Sequence, residues 1–325
     1  MTARYAPGVS PIPVGSSLNP IQYIRNEKIM GIKKKSVLPR ISVFKGFGKC
    51  GTAFNIRHEF ETRDRAQEVE YGGILKPVTV RMPREQLFMI GDKMGVSLAW
   101  EECNWEKIQA NDPSFVQEVI DSYQSDTMLS FDSRAFSAII GEAHAKNRNI
   151  TAGYQSGNIN LGTQANPLVT NPHTVWGQHY GMQRVMSEMG LNYSSTGRPM
   201  YAIVAEGYME NIALNDRLSA YYYNGQCHTC SSPVMGDSRQ VDQVEYIKSR
   251  CLPVINDGGA MIYPILFGYD DAIWSGYDVV IDYKEGGRGD SNKYIDIYWH
   301  FGLKLIDPRK VGVMWVRVEP LVTGG

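Results

Sequence analysis

The chain has 325 residues, of which 43% are hydrophobic and 21% charged, so it can bury a substantial core and lacks the composition of a disordered protein. Its 33 Lys and Arg against 34 Asp and Glu leave a formal net charge of −1, which argues against a protein that coats nucleic acid with its whole surface. No window of about 18 apolar residues is present, so no transmembrane helix is expected, and the first thirty residues lack the apolar stretch of a secretory signal.

Residues 1–45 differ from everything that follows. They hold Arg4, Arg25, Lys28, Lys33, Lys34, Lys35, Arg40 and Lys45 against the single acid Glu27, a balance of eight minus one, or +7. The remainder is therefore −8. Pro7, Pro11, Pro13, Pro20 and Pro39 remove backbone donors and favour extended backbone. This segment reads as an extended basic arm, ordered only where it lies on a partner.

A long hairpin is expected next. Phe54, Ile56, His58 and Phe60 alternate with polar residues, and Val78, Val80 and Met82 alternate with Thr79 and Arg81. Between them run Arg57, Glu59, Glu61, Arg63, Asp64, Arg65, Glu68 and Glu70, a dense mixed-charge stretch. Isolated hairpins are marginal in water, so this one should gain stability on another surface.

Val96, Leu98 and Trp100 mark a strand. Asp112 and Pro113 then offer an N-cap and a first helical residue, and apolar residues from Phe115 to Ala143 keep helical spacing. One helix of about thirty residues, or two nearly continuous ones, is predicted, a beam of roughly 45 Å. Thr174 is a candidate cap for a further helix. Strands are expected at Met200–Val204, Ala260–Phe267, Asp278–Tyr283, Lys293–Leu305 and Lys310–Val318, with a short helix at Gly207–Leu214.

Site chemistry is sparse. Cys227 and Cys230 form a C-x-x-C pair that could fill half of a zinc site, but only Cys251 lies nearby, so no metal is expected. The scattered cysteines read as free thiols of a reducing compartment. Gly286, Gly287, Arg288, Gly289 and Asp290 lack a P-loop ending and read as a hairpin connection. No catalytic constellation or cofactor motif emerges, and the six histidines read as individual packing or surface residues.

The order of elements resembles the major capsid protein of tailed double-stranded DNA bacteriophages, the Hong Kong 97-type fold. Three stretches carry the likeness. They are Lys76–Met82 with the run from Asp112, then Gly197–Val204 with the helix after it, and Tyr298–Lys304 through Pro308 to Trp315–Val318. The resemblance implies an α+β fold with four parts: an N-terminal arm (1–45), an E-loop hairpin (46–84), a peripheral domain with a spine helix (85–165 and 291–325) and an axial domain (166–290). It further implies a shell protein without enzymatic activity or cofactor, which assembles with itself into hexamers and pentamers of an icosahedral head. Portal, scaffolding and cement proteins are implied as further partners, with packaged double-stranded DNA touched non-specifically and no membrane. Assembly would occur in the bacterial host cytoplasm and the product would be the virion. In that reading the basic residues Arg25, Lys28, Lys33, Lys34, Lys35 and Arg40 meet either DNA or the acidic body of a neighbouring copy. An encapsulin-like nanocompartment shell is the alternative, and a soluble α/β enzyme a more distant one.

Overall fold

The structure is a computed structural model that describes residues 36–44, 53–57, 85–101, 115–215, 217–218, 238–285 and 293–319. The strands, in chain order, are β1 (Val43–Phe44), β2 (Ala53–Arg57), β3 (Glu85–Met89), β4 (Asp92–Trp100), β5 (Leu168–Thr170), β6 (Met200–Val204), β7 (Ser238–Val241), β8 (Val244–Lys248), β9 (Ile255–Asp257), β10 (Ala260–Gly268), β11 (Ile273–Glu285), β12 (Lys293–Leu305) and β13 (Val311–Val318). The α-helices are α1 (Leu38–Ile41), α2 (Phe115–Glu142), α3 (Val175–Glu188), α4 (Tyr193–Thr196) and α5 (Glu206–Leu214).

Two sheets organise the chain. The first has the order β1-β11-β12-β4, and its centre is the long antiparallel pair from Ile273↔Leu305 to Glu285↔Lys293. Side chains on strands alternate faces, so Tyr277, Val279, Ile295, Ile297, Trp299 and Phe301 all point to one side. There they meet the buried stripe of α2, which includes Met128, Phe131, Ala135, Phe136 and Ile139 at helical spacing. Phe131 stacks on Phe301 with centroids 4.7 Å apart and planes at 12°. The beam expected from the sequence is thus one unbroken helix of 28 residues.

The second sheet has the order β5-β13-β10-β6-β8-β7, with β9 paired to β10. Strand β6 is buried at all five positions, so both faces of the sheet are covered there. Gly312, paired with Phe267 across β10 and β13, lies directly under that ring, where any Cβ would collide with it.

The pairing runs across the domain bounds expected from chain order. Strand β11, assigned by position to an axial unit ending at residue 290, pairs along its length with β12 in the α2 sheet. Strand β13, which carries Trp315–Val318 and was expected to close the peripheral sheet, pairs with β10 in the other one. The chain crosses between sheets at the 3₁₀ turn Pro308–Lys310, so units drawn by sequence order do not match the sheets. Thr174 stands just before α3 as expected but does not cap it. Its hydroxyl donates to the Val169 carbonyl, while the Asn171 carbonyl accepts from the amides of Thr174 and Val175.

Candidate functional site

Two places in the described structure bear on the hairpin and the arm expected from the sequence. The first is the hairpin. Strands β2 and β3 form their own two-stranded sheet, in register from Ala53↔Met89 to Arg57↔Glu85. It is held to the body by a small satellite core of Phe88, Ile90 and Ile306, with Trp274 packed against it. The Phe88 and Trp274 rings meet edge-on at 6.2 Å. Gly91, beside which a Cβ would meet nothing within 4 Å, then links this core to β4.

The backbone of Arg57 ends β2 at the base of the hairpin. Glu59, Glu61, Arg63, Asp64, Arg65, Glu68 and Glu70 lie outside the described residues, as do Val78–Met82. The pairing that closes the described base uses Glu85–Met89.

The second place is the root of the arm, where the structure revises the sequence reading. Residues 36–44 do not extend away from the body; they are built into it. Leu38 and Ile41 are 0% exposed, and β1 runs parallel to Trp274 and Ser275 of β11. The Ser36 hydroxyl donates to Asp132 Oδ1 at 2.5 Å, and the Val37 amide donates to Asp132 Oδ2 at 2.9 Å. The Ser42 and Ser275 hydroxyls lie 2.6 Å apart.

Arg40 Nη2 reaches Glu245 Oε1 of β8 at 2.6 Å, so the one described member of the basic set works within its own chain. This root touches α2, β11 and the second sheet at once, and lines a cavity of about 330 Å³ with Leu129, Lys248 and Cys251. Arg25, Lys28, Lys33, Lys34 and Lys35 lie outside the described residues.

The sequence did carry a signal for this anchor. Asp132 falls on the core-facing stripe of α2, four residues after Met128, where a carboxylate needs donors. Ser36 and Val37, just before the buried turn that starts at Leu38, supply them.

Burial raises the pKa of Asp132 from 3.8 to about 6, partly opposed by its bonds to Ser36 and Val37. The opposite case is His179 on α3, which is 0% exposed with Nδ1 2.6 Å from the Tyr246 hydroxyl. Burial lowers its pKa from 6.5 to about 4, with Asp242 pulling the other way.

The two groups act on stability with opposite sign. Asp132 binds its proton more tightly in the folded state, so its contribution is full below about pH 4 and is lost as pH rises through about 6. His179 binds its proton less tightly when folded, so its contribution is full above about pH 6.5 and is lost as pH falls toward 4. Each shift corresponds to about 3 kcal/mol, so the two nearly cancel across this window. Chemical denaturation at pH 4.5, 5.5 and 6.5 should therefore give a flat profile for these groups in the native chain. Asp132→Asn should lose stability on acidification, and His179→Gln should gain it. Parallel profiles in the two variants would contradict the assignment.

Cys227, His228 and Cys230 lie outside the described residues, and among the described residues no three His, Cys, Asp or Glu side chains cluster as a metal site. Cys251 is buried and free. No helix among the described residues is long and apolar enough to cross a membrane.

No protein-family model matches the chain, and no curated protein sequence does. Solved structures do. The capsid of the cyanophage P-SCSP1u aligns with a TM-score of 0.57 at 11% identity, covering 87% of this chain and 87% of that one. The capsid of Ralstonia phage GP4 aligns at 0.52 with 12% identity, covering 88% of both. The chain has the Hong Kong 97-type capsid fold. A virus-like particle from Pyrococcus furiosus also aligns, at 0.50 with 9% identity over 93% of this chain and 100% of that one.

Proposed function

We propose that this protein is a major capsid protein that assembles with itself into a closed icosahedral shell around double-stranded DNA. The observation that carries the reading is the fold match, which spans nearly the whole of this chain and of each phage capsid chain rather than one shared domain. An anchored hairpin and an anchored arm leaving one body are parts a shell can use, because each can cross onto an adjacent copy. Hexamers and pentamers are the expected building units. Portal, scaffolding and cement proteins are further partners in this reading, the virion is its location, and the bacterial host cytoplasm is its site of assembly.

The mixed charges Arg57–Glu70 would form ion pairs with a neighbour. Each exposed pair is worth only about 0.2–1 kcal/mol, so single contacts stay reversible while many copies together hold the shell. The basic residues Arg25–Lys35 are the arm's contact set, toward DNA or the acidic body of a neighbour.

Negative-stain electron microscopy of the expressed protein tests the reading directly: closed shells are expected, and a folded species that stays monomeric at every concentration and salt would sink it. Within that experiment, the double charge reversal Arg63→Glu with Arg65→Glu should lower shell yield and make the remaining shells salt-sensitive. Unchanged yield would count against ion pairs at the hairpin. The virus-like particle match keeps an encapsulin-like compartment as the second reading. Nucleic acid inside purified shells from the native host separates the two, since a compartment would hold a cargo enzyme.

A further inference from the structure

The contact between Asp132 of α2 and the start of the arm root can take up a proton without losing a hydrogen bond. Asp132 is 2% exposed and Ser36 is 3% exposed. Oδ2 of Asp132 accepts from the Val37 amide at 2.9 Å, and the Leu38 amide donates to the same carboxylate. Oδ1 lies 2.5 Å from the Ser36 hydroxyl. Ser36 Oγ in turn lies 3.3 Å from the Tyr277 hydroxyl of β11, in a contact where either oxygen can donate.

Hydroxyl hydrogens rotate to suit their partners, so this row of oxygens works in both directions. With Asp132 ionised, Tyr277 donates to Ser36 and Ser36 donates to Asp132. With Asp132 protonated, its O–H donates to Ser36 and Ser36 donates to Tyr277, while Oδ2 keeps the Val37 amide. The two states share the same partners and differ in charge. A buried carboxylate held only by neutral donors is costly, so the closed contact favours the proton. The cations around it serve other acids: Arg40 pairs with Glu245, and Lys248 with Glu206. Arg250, which lines the adjoining cavity, is exposed. The Cys251 thiol in that cavity and the Tyr277 phenol are both pushed up, by burial first and then by Asp132, so both stay neutral near pH 7.

We infer that Asp132 is a pH-dependent latch on the first turn of the arm root. Protonated, it holds Ser36 and Val37 against α2. Ionised, it lets them lift into water while Leu38, Ile41 and β1 stay seated. The cavity of about 330 Å³ that Ser36, Val37 and Asp132 line gives water a path to the carboxylate once they lift. The closed latch binds the proton more tightly, with a pKa raised from 3.8 to about 6, so opening becomes easier as pH rises through that interval and levels off above it. Between pH 5.0 and 7.5 the opening constant should rise about tenfold. His179 does not enter, because its partners Tyr246 and Asp242 stay in place when Ser36 and Val37 lift. The latch belongs to a single chain and does not rest on the shell reading. Its consequence falls on the arm, which joins the body at Ser36.

Hydrogen–deuterium exchange of the full-length chain at pH 5.0 and 7.5, resolved to single residues and corrected for intrinsic rates, tests this. Protection of the Val37 and Leu38 amides should fall about tenfold over that interval relative to the amides of α2. Asp132→Asn keeps an acceptor and a donor but has no charge to gain, so its Val37 and Leu38 amides should be equally protected at both pH values. A fall in the variant equal to that in the native chain overturns the latch. So does native protection at Val37 and Leu38 that does not change with pH, or that matches α2 at both, since the root would then open only with the whole molecule. Tyr277→Phe gives a second reading that does not depend on how Asp132→Asn folds. It removes the acceptor that the Ser36 hydroxyl needs only when Asp132 is protonated. Protection should drop at pH 5.0 and stay native at pH 7.5, and an unchanged or reversed pattern overturns the relay.

Discussion

A chain that begins at Ser36 is expected to unfold at the same temperature as the full-length protein and yet form no regular shells, while a chain that begins at residue 45 should fail to fold. The two cuts differ by nine residues, and the structure says why they part. Leu38 and Ile41 are fully buried, and full burial of each is worth about 1.5–3 kcal/mol. Removing Ser36 and Val37 also strips two donors from Asp132, which is 2% exposed, and a buried acceptor left without partners costs about 1–3 kcal/mol more. Together these reach about 4–9 kcal/mol, comparable with the whole stability of a typical domain, about 5–15 kcal/mol.

The shorter deletion leaves that anchor intact and removes only the segment whose +5 charge (Arg4, Arg25, Lys28, Lys33, Lys34 and Lys35 against Glu27) is assigned to contacts outside the body. Circular dichroism melting and electron microscopy on both truncations read the two outcomes separately. Regular shells from the shorter truncation would remove the arm from the assembly mechanism. A normal melt from the longer one would mean that the root is not part of the folded core.

The second large effect concerns the contact between α2 and its sheet. Phe131→Ala should cost about 3–5 kcal/mol, the usual range for removing a buried aromatic ring. Phe131 is 0% exposed and lies between Phe301, stacked at 4.7 Å, and Tyr277, whose centroid is 6.2 Å away. At this chain length the loss corresponds to a melting temperature lower by roughly 10 °C. Leu129→Ala, two residues away but 49% exposed, is the matched control and should stay within about 0.5 kcal/mol. Equal losses from the two substitutions would show that α2 does not bury the face assigned to it.

Much of the local structure was readable before any coordinates. The strand Lys293–Leu305 carries alternating large apolar residues, Ile295, Ile297, Trp299 and Phe301, and one face of it is the core. Met200–Val204 is apolar throughout and is buried throughout. The long helix announced itself through repeated apolar residues at helical spacing, and β2 through the alternation of Phe54 and Ile56 with Asn55 and Arg57.

The arm root was not readable in the same way. Leu38 and Ile41 make a single helical turn and Val43–Phe44 a two-residue strand, both too short for a period to emerge from basic and proline-rich surroundings. Their order comes from α2 and β11, which lie far away in sequence.

By itself, then, the sequence determined the longer helices and strands and which side of each is apolar, together with the concentration of positive charge at one end. Those are local properties: a repeat of 2 or 3.6 residues states which face must leave water, whatever it is buried against. Only the tertiary structure decided partnership. It paired β11 with β12 and β13 with β10 across a boundary that chain order had drawn elsewhere. It also turned residues 36–44 of an apparent free arm into a bolt through Asp132 and Glu245. The net charge of −1 shows the same division. Its split into a basic arm and an acidic body is plain from the sequence, but Arg40 answers Glu245 inside one chain because packing brought β8 to the arm root, and no local pattern records a contact between residues 205 positions apart.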